Sequence, residues 1–126
     1  AKAVKVFNKV RTARPDAIIR LASQRVARRG TAALERNFSR AQRTAGGRYP
    51  SLRSAYRGTQ HHLDVAREAN RISRGRFTYR RVGPDFLDRR TGIQIELTTR
   101  RQLTRHYVRP GYGRPSPTMR YVRYAQ

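Results

Sequence analysis

From Ala1 to about Ala13, the apolar residues Val4, Phe7 and Val10 recur at helical spacing beside three lysines, which predicts a basic amphipathic start. Pro15-Asp16 then places a proline in a first helical turn and a carboxylate where the helix dipole favours it. Ile18, Ile19, Leu21, Ala22 and Val26 carry the apolar pattern to a break at Gly30-Thr31. Ala33, Leu34 and Phe38 predict a further helix that ends before Gly46-Gly47, and the Gly-Gly and Tyr-Pro steps within 43–51 predict a turn or linker. The first 45 residues therefore read as two or three short helices. Leu52, Ala55, Tyr56, Leu63, Ala66, Ala69 and Ile72 form a longer stripe that predicts a helix over 52–73, stopped by Gly75. Asp64 and Glu68 lie one turn apart on it and share a face.

Beyond Gly75 the period changes from helical to alternating. Extended segments are predicted at 76–82, at 84–88 after Gly83-Pro84, and at 91–99 after the turn residues Arg89-Arg90-Thr91-Gly92. In the third, Ile93, Ile95 and Leu97 fall on one face and Gln94, Glu96 and Thr98 on the other, so Glu96 points away from the apolar side. A short helix at 100–108, a loop forced by Pro110-Gly111-Tyr112-Gly113 and Pro115-Ser116-Pro117, and a last alternating strand at 118–124 complete the chain. From residue 52 the order is helix, strand, strand, strand, helix, strand. That order predicts a mixed α/β (α+β) fold with helices covering a sheet. The expected organisation is a basic helical arm over 1–50 followed by a core over 51–126.

Composition narrows the partner. Thirty basic residues stand against seven acidic ones, a net charge of +23, and all but three of the thirty are arginine. Charge of that size repels itself in a compact chain unless a polyanion or an acidic protein neutralises it, and the planar guanidinium suits phosphates and guanine edges. Nucleic acid is the expected partner. No apolar run approaches the roughly 20 residues needed to span a bilayer, so stable membrane insertion is not expected. The absence of cysteine excludes disulfides, zinc–thiolate sites and thiol nucleophiles. The first residues carry neither an initiating Met nor an apolar signal segment, which reads as a piece of a longer or processed protein.

Two of the seven acidic residues, Asp85 and Glu96, fall on neighbouring predicted strands amid the arginines. Carboxylates reaching toward one point are a minimal set for a divalent cation beside a phosphodiester. Pro84-Asp85 followed by Glu96 on an alternating strand, within that order of elements, resembles the PD-(D/E)xK superfamily with its restriction-endonuclease-like fold. The phrase PDFLDRRTGIQIELTT also resembles the nuclease modules that end bacterial polymorphic toxins of the contact-dependent inhibition and Rhs types. The resemblance implies Asp85 and Glu96 as catalytic and metal-binding residues, with Mg²⁺ as the cation and Zn²⁺ or Mn²⁺ as alternatives. It implies Glu68, with Asp64 and Glu35 as alternatives, as an acid from the helix. The family places a lysine two residues after the glutamate; here that catalytic position is Thr98, and Gln94, Arg100, Arg101 and Gln102 are the candidates to replace it. It further implies delivery as part of a larger bacterial protein, action in the target-cell cytoplasm, and an acidic cognate immunity protein.

Arg80, Arg81, Arg100, Arg101 and Arg105 are the expected nucleic-acid contacts, with RNA, specifically tRNA, favoured over DNA. Two other readings stay open. His106 with Glu96, Thr98, Arg100 and Tyr107 resembles the metal-free sites of barnase-like toxin ribonucleases, which would require an antiparallel sheet. A non-catalytic ribosomal or nucleoid protein would bind without turnover. Taken one at a time, Asp85 and Asp88 read as ordinary turn charges, Glu96 as a partner for a cross-strand arginine, and Asp64 and Glu68 as helix salt-bridge residues. The adjacent pair His61-His62 cannot chelate from one helix face and reads as exposed or interfacial.

Overall fold

A computed structural model of the chain describes residues 12–125; the predicted amphipathic start, but for its last two residues, lies outside them. Among the described residues the elements are α1 (Pro15–Arg28), α2 (Thr31–Arg36), α3 (Arg40–Arg48), α4 (Pro50–Ser73), β1 (Phe77–Tyr79), β2 (Phe86–Asp88), β3 (Gln94–Thr99), α5 (Leu103–Tyr107) and β4 (Met119–Tyr124). The fold is α+β, with the helices first and a four-stranded mixed sheet after them. Strand order is β1-β2-β3-β4; the first two pairings are antiparallel and β3 runs parallel to β4. A parallel pair cannot be closed by a tight turn. The connection from β3 to β4 carries α5 and the Pro/Gly-rich loop that the sequence marks.

One core joins the two halves of the chain. Ile18, Ile19, Ala22 and Val26 of α1 and Val65, Ala66 and Ala69 of α4 pack onto Phe77, Phe86, Ile95, Leu97 and Val122 of the sheet. Each large apolar side chain so buried favours folding by about 1.5–3 kcal/mol. Within the basic helical stretch expected over 1–50, α1 is a structural layer of this core. Its Pro15 and Asp16 start the helix as expected, and the i, i+3/i+4 spacing of its apolar residues sets the buried face.

Three local departures have physical causes. The helix expected through Phe38 breaks at Asn37, and Ser39 starts a new one with a reciprocal capping box to Gln42. That helix, α3, then runs through Gly46-Gly47 to Arg48 instead of stopping. Gly46 suits the crossing: a Cβ there would lie 3.2 Å from the Cβ of Arg53 on α4, closer than most such contacts, so the two backbones approach tightly at this point. Asp88, expected as a loop charge, is fully buried and takes Arg76 in a fork of 2.8 and 2.9 Å. Arg76 also donates to the carbonyl of Ala13 at 2.9 Å, tying the chain before α1 to the end of β2.

β3 is covered on both faces. Ile95 and Leu97 enter the core as predicted, yet Glu96 is 3% exposed and Thr98 is 1% exposed. The polar face of this strand is an interior surface, and Glu96 has to be accommodated there.

Candidate active site

The ladder between β2 and β3 ends at Phe86 and Ile95. One residue further, side chains take over the backbone hydrogen bonds. The amide of Asp85 donates to Glu96 Oε1 at 3.1 Å, and the amide of Leu97 donates to Asp85 Oδ2 at 3.0 Å. The two strands part at this point, and both carboxyl groups enter the gap. Gly83-Pro84 ends the preceding turn and sets the approach of Asp85; Gly83 has φ 79°, open to glycine without strain.

Two imidazoles flank the carboxyl pair. His62 of α4 places Nε2 3.2 Å from Asp85 Oδ2 and 2.7 Å from the carbonyl of Leu97, while its Nδ1 lies 2.8 Å from the carbonyl of Gly58. Carbonyls accept only, so both ring nitrogens carry protons and the ring is cationic. Burial opposes that charge, but Asp85 and the two carbonyls outweigh it and hold the His62 pKa above its usual value. His106 of α5 places Nδ1 3.1 Å from Glu96 Oε2 without forming a hydrogen bond. Burial and the nearby Arg109 charge lower its pKa, which leaves the ring neutral.

The two carboxyls are driven apart. Burial alone would raise Asp85, but His62, the hydrogen bond with Glu96 and the Leu97 amide hold it below the usual carboxylate range. Glu96 is pushed up to about 9 by burial and by the hydrogen bond and charge of Asp85. Near neutral pH one proton therefore sits on Glu96 beside an ionised Asp85, the arrangement that like charges in a shared site impose. Around them a cleft of about 590 Å³ is lined by His62, Arg81, Gln102, Arg105, Arg109 and Tyr112 as well as the two carboxyls.

The pair fits a hard divalent cation. Glu96 can ionise next to Asp85 when a positive ion replaces the shared proton, and Mg²⁺ commonly rests on one or two carboxylates, completing its shell with water and phosphate oxygens. Among the described residues no group of three or more histidine, aspartate or glutamate side chains is arranged to hold an ion.

The expected site residues divide cleanly by position. Asp85 and Glu96 meet, and Arg81 and Arg105 line the same cleft. Arg80 does not line it, and its Nε and one terminal nitrogen are buried and unpartnered. Arg100 and Arg101 are exposed in the turn before α5 and do not line the cleft. Thr98 is buried and donates to the carbonyl of Thr99 at 3.2 Å, outside the cleft; of the candidates to stand in for a lysine, Gln102 faces it. Glu68 is elsewhere, bound by Arg25, Arg29 and Arg71 at 3.3, 2.8 and 2.5 Å, and those arginines hold its pKa at about 2. Asp64 accepts from Gln60 at 2.7 Å and lines the cavity beside Glu68. Glu35 is tied to Arg53 and Arg57. From the long helix the carboxyl pair receives a histidine in place of the expected acid.

His62 and Arg109 are the site residues that sequence reasoning missed. A signal for His62 existed. His61 stands four residues before Val65 on the buried stripe, and adjacent helical residues diverge by about 100°, which puts His62 at the edge of that stripe. The structure corrects the exposed reading accordingly: His61 is 4% exposed, 3.0 Å from the Ser23 hydroxyl, and stacked on Tyr124 at 4.2 Å. Compared with protein-family models, with curated proteins and with solved structures, the chain matches none.

Proposed function

We propose that this chain is a nuclease domain of the polymorphic-toxin kind, hydrolysing phosphodiester bonds of RNA in preference to DNA with a divalent cation held by Asp85 and Glu96. The observation that carries this reading is the convergence of those two carboxyls, sharing one proton, in an arginine-lined cleft of a protein of charge +23. When bound, the cation supplies a Lewis acid for the phosphoryl oxygens and lowers the pKa of the attacking water. The chain itself holds the carboxyls with backbone amides, places the cationic His62 against Asp85, and offers Arg81, Arg105 and Arg109 to the phosphate. Delivery from a larger bacterial protein into a target cell, and an acidic immunity protein that covers the cleft, belong to the same proposal; the cleft's surplus of arginine supports the latter. tRNA is the favoured substrate.

The test incubates purified protein with tRNA and with plasmid in Mg²⁺, Mn²⁺, Zn²⁺ and EDTA. Cleavage that needs the cation and is lost in both Asp85→Ala and Glu96→Ala is the expected result. Binding with no turnover under any of these conditions would reduce the protein to a polyanion-binding one. A metal-free ribonuclease is kept as a second reading because the neutral His106 imidazole stands 3.1 Å from protonated Glu96. It would show cleavage in EDTA that His106→Ala abolishes. The parallel β3–β4 pairing departs from the antiparallel sheet that reading requires, and Thr98 and Arg100 lie outside the cleft.

A further inference from the structure

A second cleft of about 590 Å³ adjoins the first and shares His62, Arg81 and Gln102 with it as a common wall. The two differ in chemistry. The first presents carboxyls, imidazoles and arginines. The second has Tyr79, Tyr124, Leu63, Ala55 and Gly58 around its sides. Its size is that of ordinary small-ligand sites, about 300–1,000 Å³, which are mostly apolar with a few placed polar groups.

The tyrosines are held in place from behind. Tyr124 stacks on His61 at 4.2 Å with 18° between the ring planes, and it meets His62 edge-on at 5.6 Å. His61 is in turn positioned by Ser23, at 3.0 Å. Tyr79 leans on Phe86 at 5.4 Å. These contacts fix ring orientations before any ligand arrives, so stacking on them loses little conformational entropy. On the helical side, Ala55 and Gly58 are small where a longer side chain would fill the space.

We infer that this second cleft receives an unpaired nucleobase adjoining the scissile phosphate, so that the substrate is single-stranded or looped nucleic acid and not an intact duplex. The inference rests on the nuclease reading of the neighbouring cleft. Bases carry their π-faces on the same backbone as the phosphates, and an aromatic-walled cleft directly beside a cationic one matches that order of groups. A base paired within a duplex cannot enter without being flipped out of the stack. Arg81, common to both clefts, is placed to bridge phosphate and base.

The experiment measures binding by isothermal titration to the full chain carrying Glu96→Gln, with 5′-AMP, 5′-UMP, ribose 5-phosphate and inorganic phosphate as probes. Nucleotides are expected to bind about tenfold or more tighter than ribose 5-phosphate, within what base–aromatic stacking contributes. Tyr124→Leu should erase that difference and Tyr124→Phe should keep it. Because Tyr124 also packs on the core, Ala55→Trp serves as a second variant: it fills the cleft from an exposed helical position and should abolish the difference with the fold intact by circular dichroism. Equal affinity for nucleotides and ribose 5-phosphate, or full nucleotide binding in Ala55→Trp, would overturn the inference. In parallel, the unsubstituted chain should cleave a single-stranded oligonucleotide at least about tenfold faster than the same sequence in a blunt duplex; equal rates would also overturn it. Base-dependent binding without any cleavage would sink the nuclease reading and leave the base site standing, whereas cleavage with no base dependence would do the reverse.

Discussion

Asp85 and Glu96 have nearly the same intrinsic acidity, both are buried and both accept from a backbone amide, and the fold separates them by giving Asp85 the cationic His62 as a neighbour while Glu96 faces the negative charge of Asp85. The sign of the consequence for stability follows from linkage. Glu96 titrates at about 9 in the fold and near 4.5 when exposed, so between those pH values the unfolded chain gives up a proton that the native one keeps. Stability from this group is fully present below about pH 4.5 and declines as pH rises toward 9. Glu96→Gln removes the titration and should therefore raise Tm relative to the unsubstituted chain, by about 5 °C or more at pH 8 and by little at pH 4.5. Differential scanning fluorimetry in EDTA reads this directly, and equal Tm differences at both pH values would mean that Glu96 is an ordinary exposed carboxylate. Asp88 makes the contrasting case. It is buried at 0% exposure against Arg76, and removing one member of a buried pair leaves the other charge poorly compensated, so Asp88→Ala should cost about 3–5 kcal/mol in urea unfolding. A loss below about 1 kcal/mol, the range of exposed pairs, would contradict the burial. Sequence pattern could mark Glu96 because its strand alternates, and Asp85 by its place after Gly83-Pro84, but not Asp88, whose burial depends on an arginine twelve residues away. For His62 the helical spacing marked only a place at the edge of the buried stripe; its partners, the carbonyl of Leu97 and the carboxyl of Asp85, come from other parts of the chain.

At the level of elements, periodicity reported what local spacing can encode. α1, α4, β3 and β4 lie close to where their apolar repeats place them, because each buries one regular face against the same core. β1 was expected over 76–82 and pairs only over Phe77–Tyr79, since pairing also needs a partner and β2 has three residues. The glycines of α3 misled in the other direction. A Cβ at Gly46 would crowd Arg53 of α4 at 3.2 Å, whereas a Cβ at Gly47 would meet nothing within 4 Å. Gly47→Ala should accordingly stabilise the fold by about 0.5–1 kcal/mol, the ordinary helical preference of alanine over glycine. Gly46→Ala should fall short of that gain, because its methyl group meets the Arg53 side chain and backbone. Chemical unfolding of both variants decides the point, and equal gains would show that α3 and α4 are not in close backbone contact.

For the molecule as a whole, the question is which of the many arginines act on a polyanion and which are already engaged. Arg53 and Arg57 are committed to Glu35, and Arg25, Arg29 and Arg71 to Glu68, so part of the positive surplus is neutralised within the fold. Arg81, Arg105 and Arg109 stand around the cleft instead, where they would neutralise phosphates and release the cations condensed on a nucleic acid. Counterion release makes the logarithm of the binding constant fall linearly with the logarithm of salt concentration, with about 0.7 of slope for each phosphate neutralised on a single strand. Replacing Arg81, Arg105 or Arg109 by Gln should therefore flatten that slope by about 0.7 each. Arg53→Gln should leave it unchanged. Fluorescence anisotropy with a labelled single-stranded RNA and the Glu96→Gln chain, between 50 and 200 mM NaCl, measures the slopes; over this span each phosphate neutralised on a single strand changes affinity about 2.6-fold, and three change it about 20-fold. Equal flattening by Arg53→Gln and by the cleft variants would mean that the whole surface binds as a diffuse cationic coat. A flattening confined to the cleft variants would mean that the polyanion runs through the gap where the two carboxyls meet.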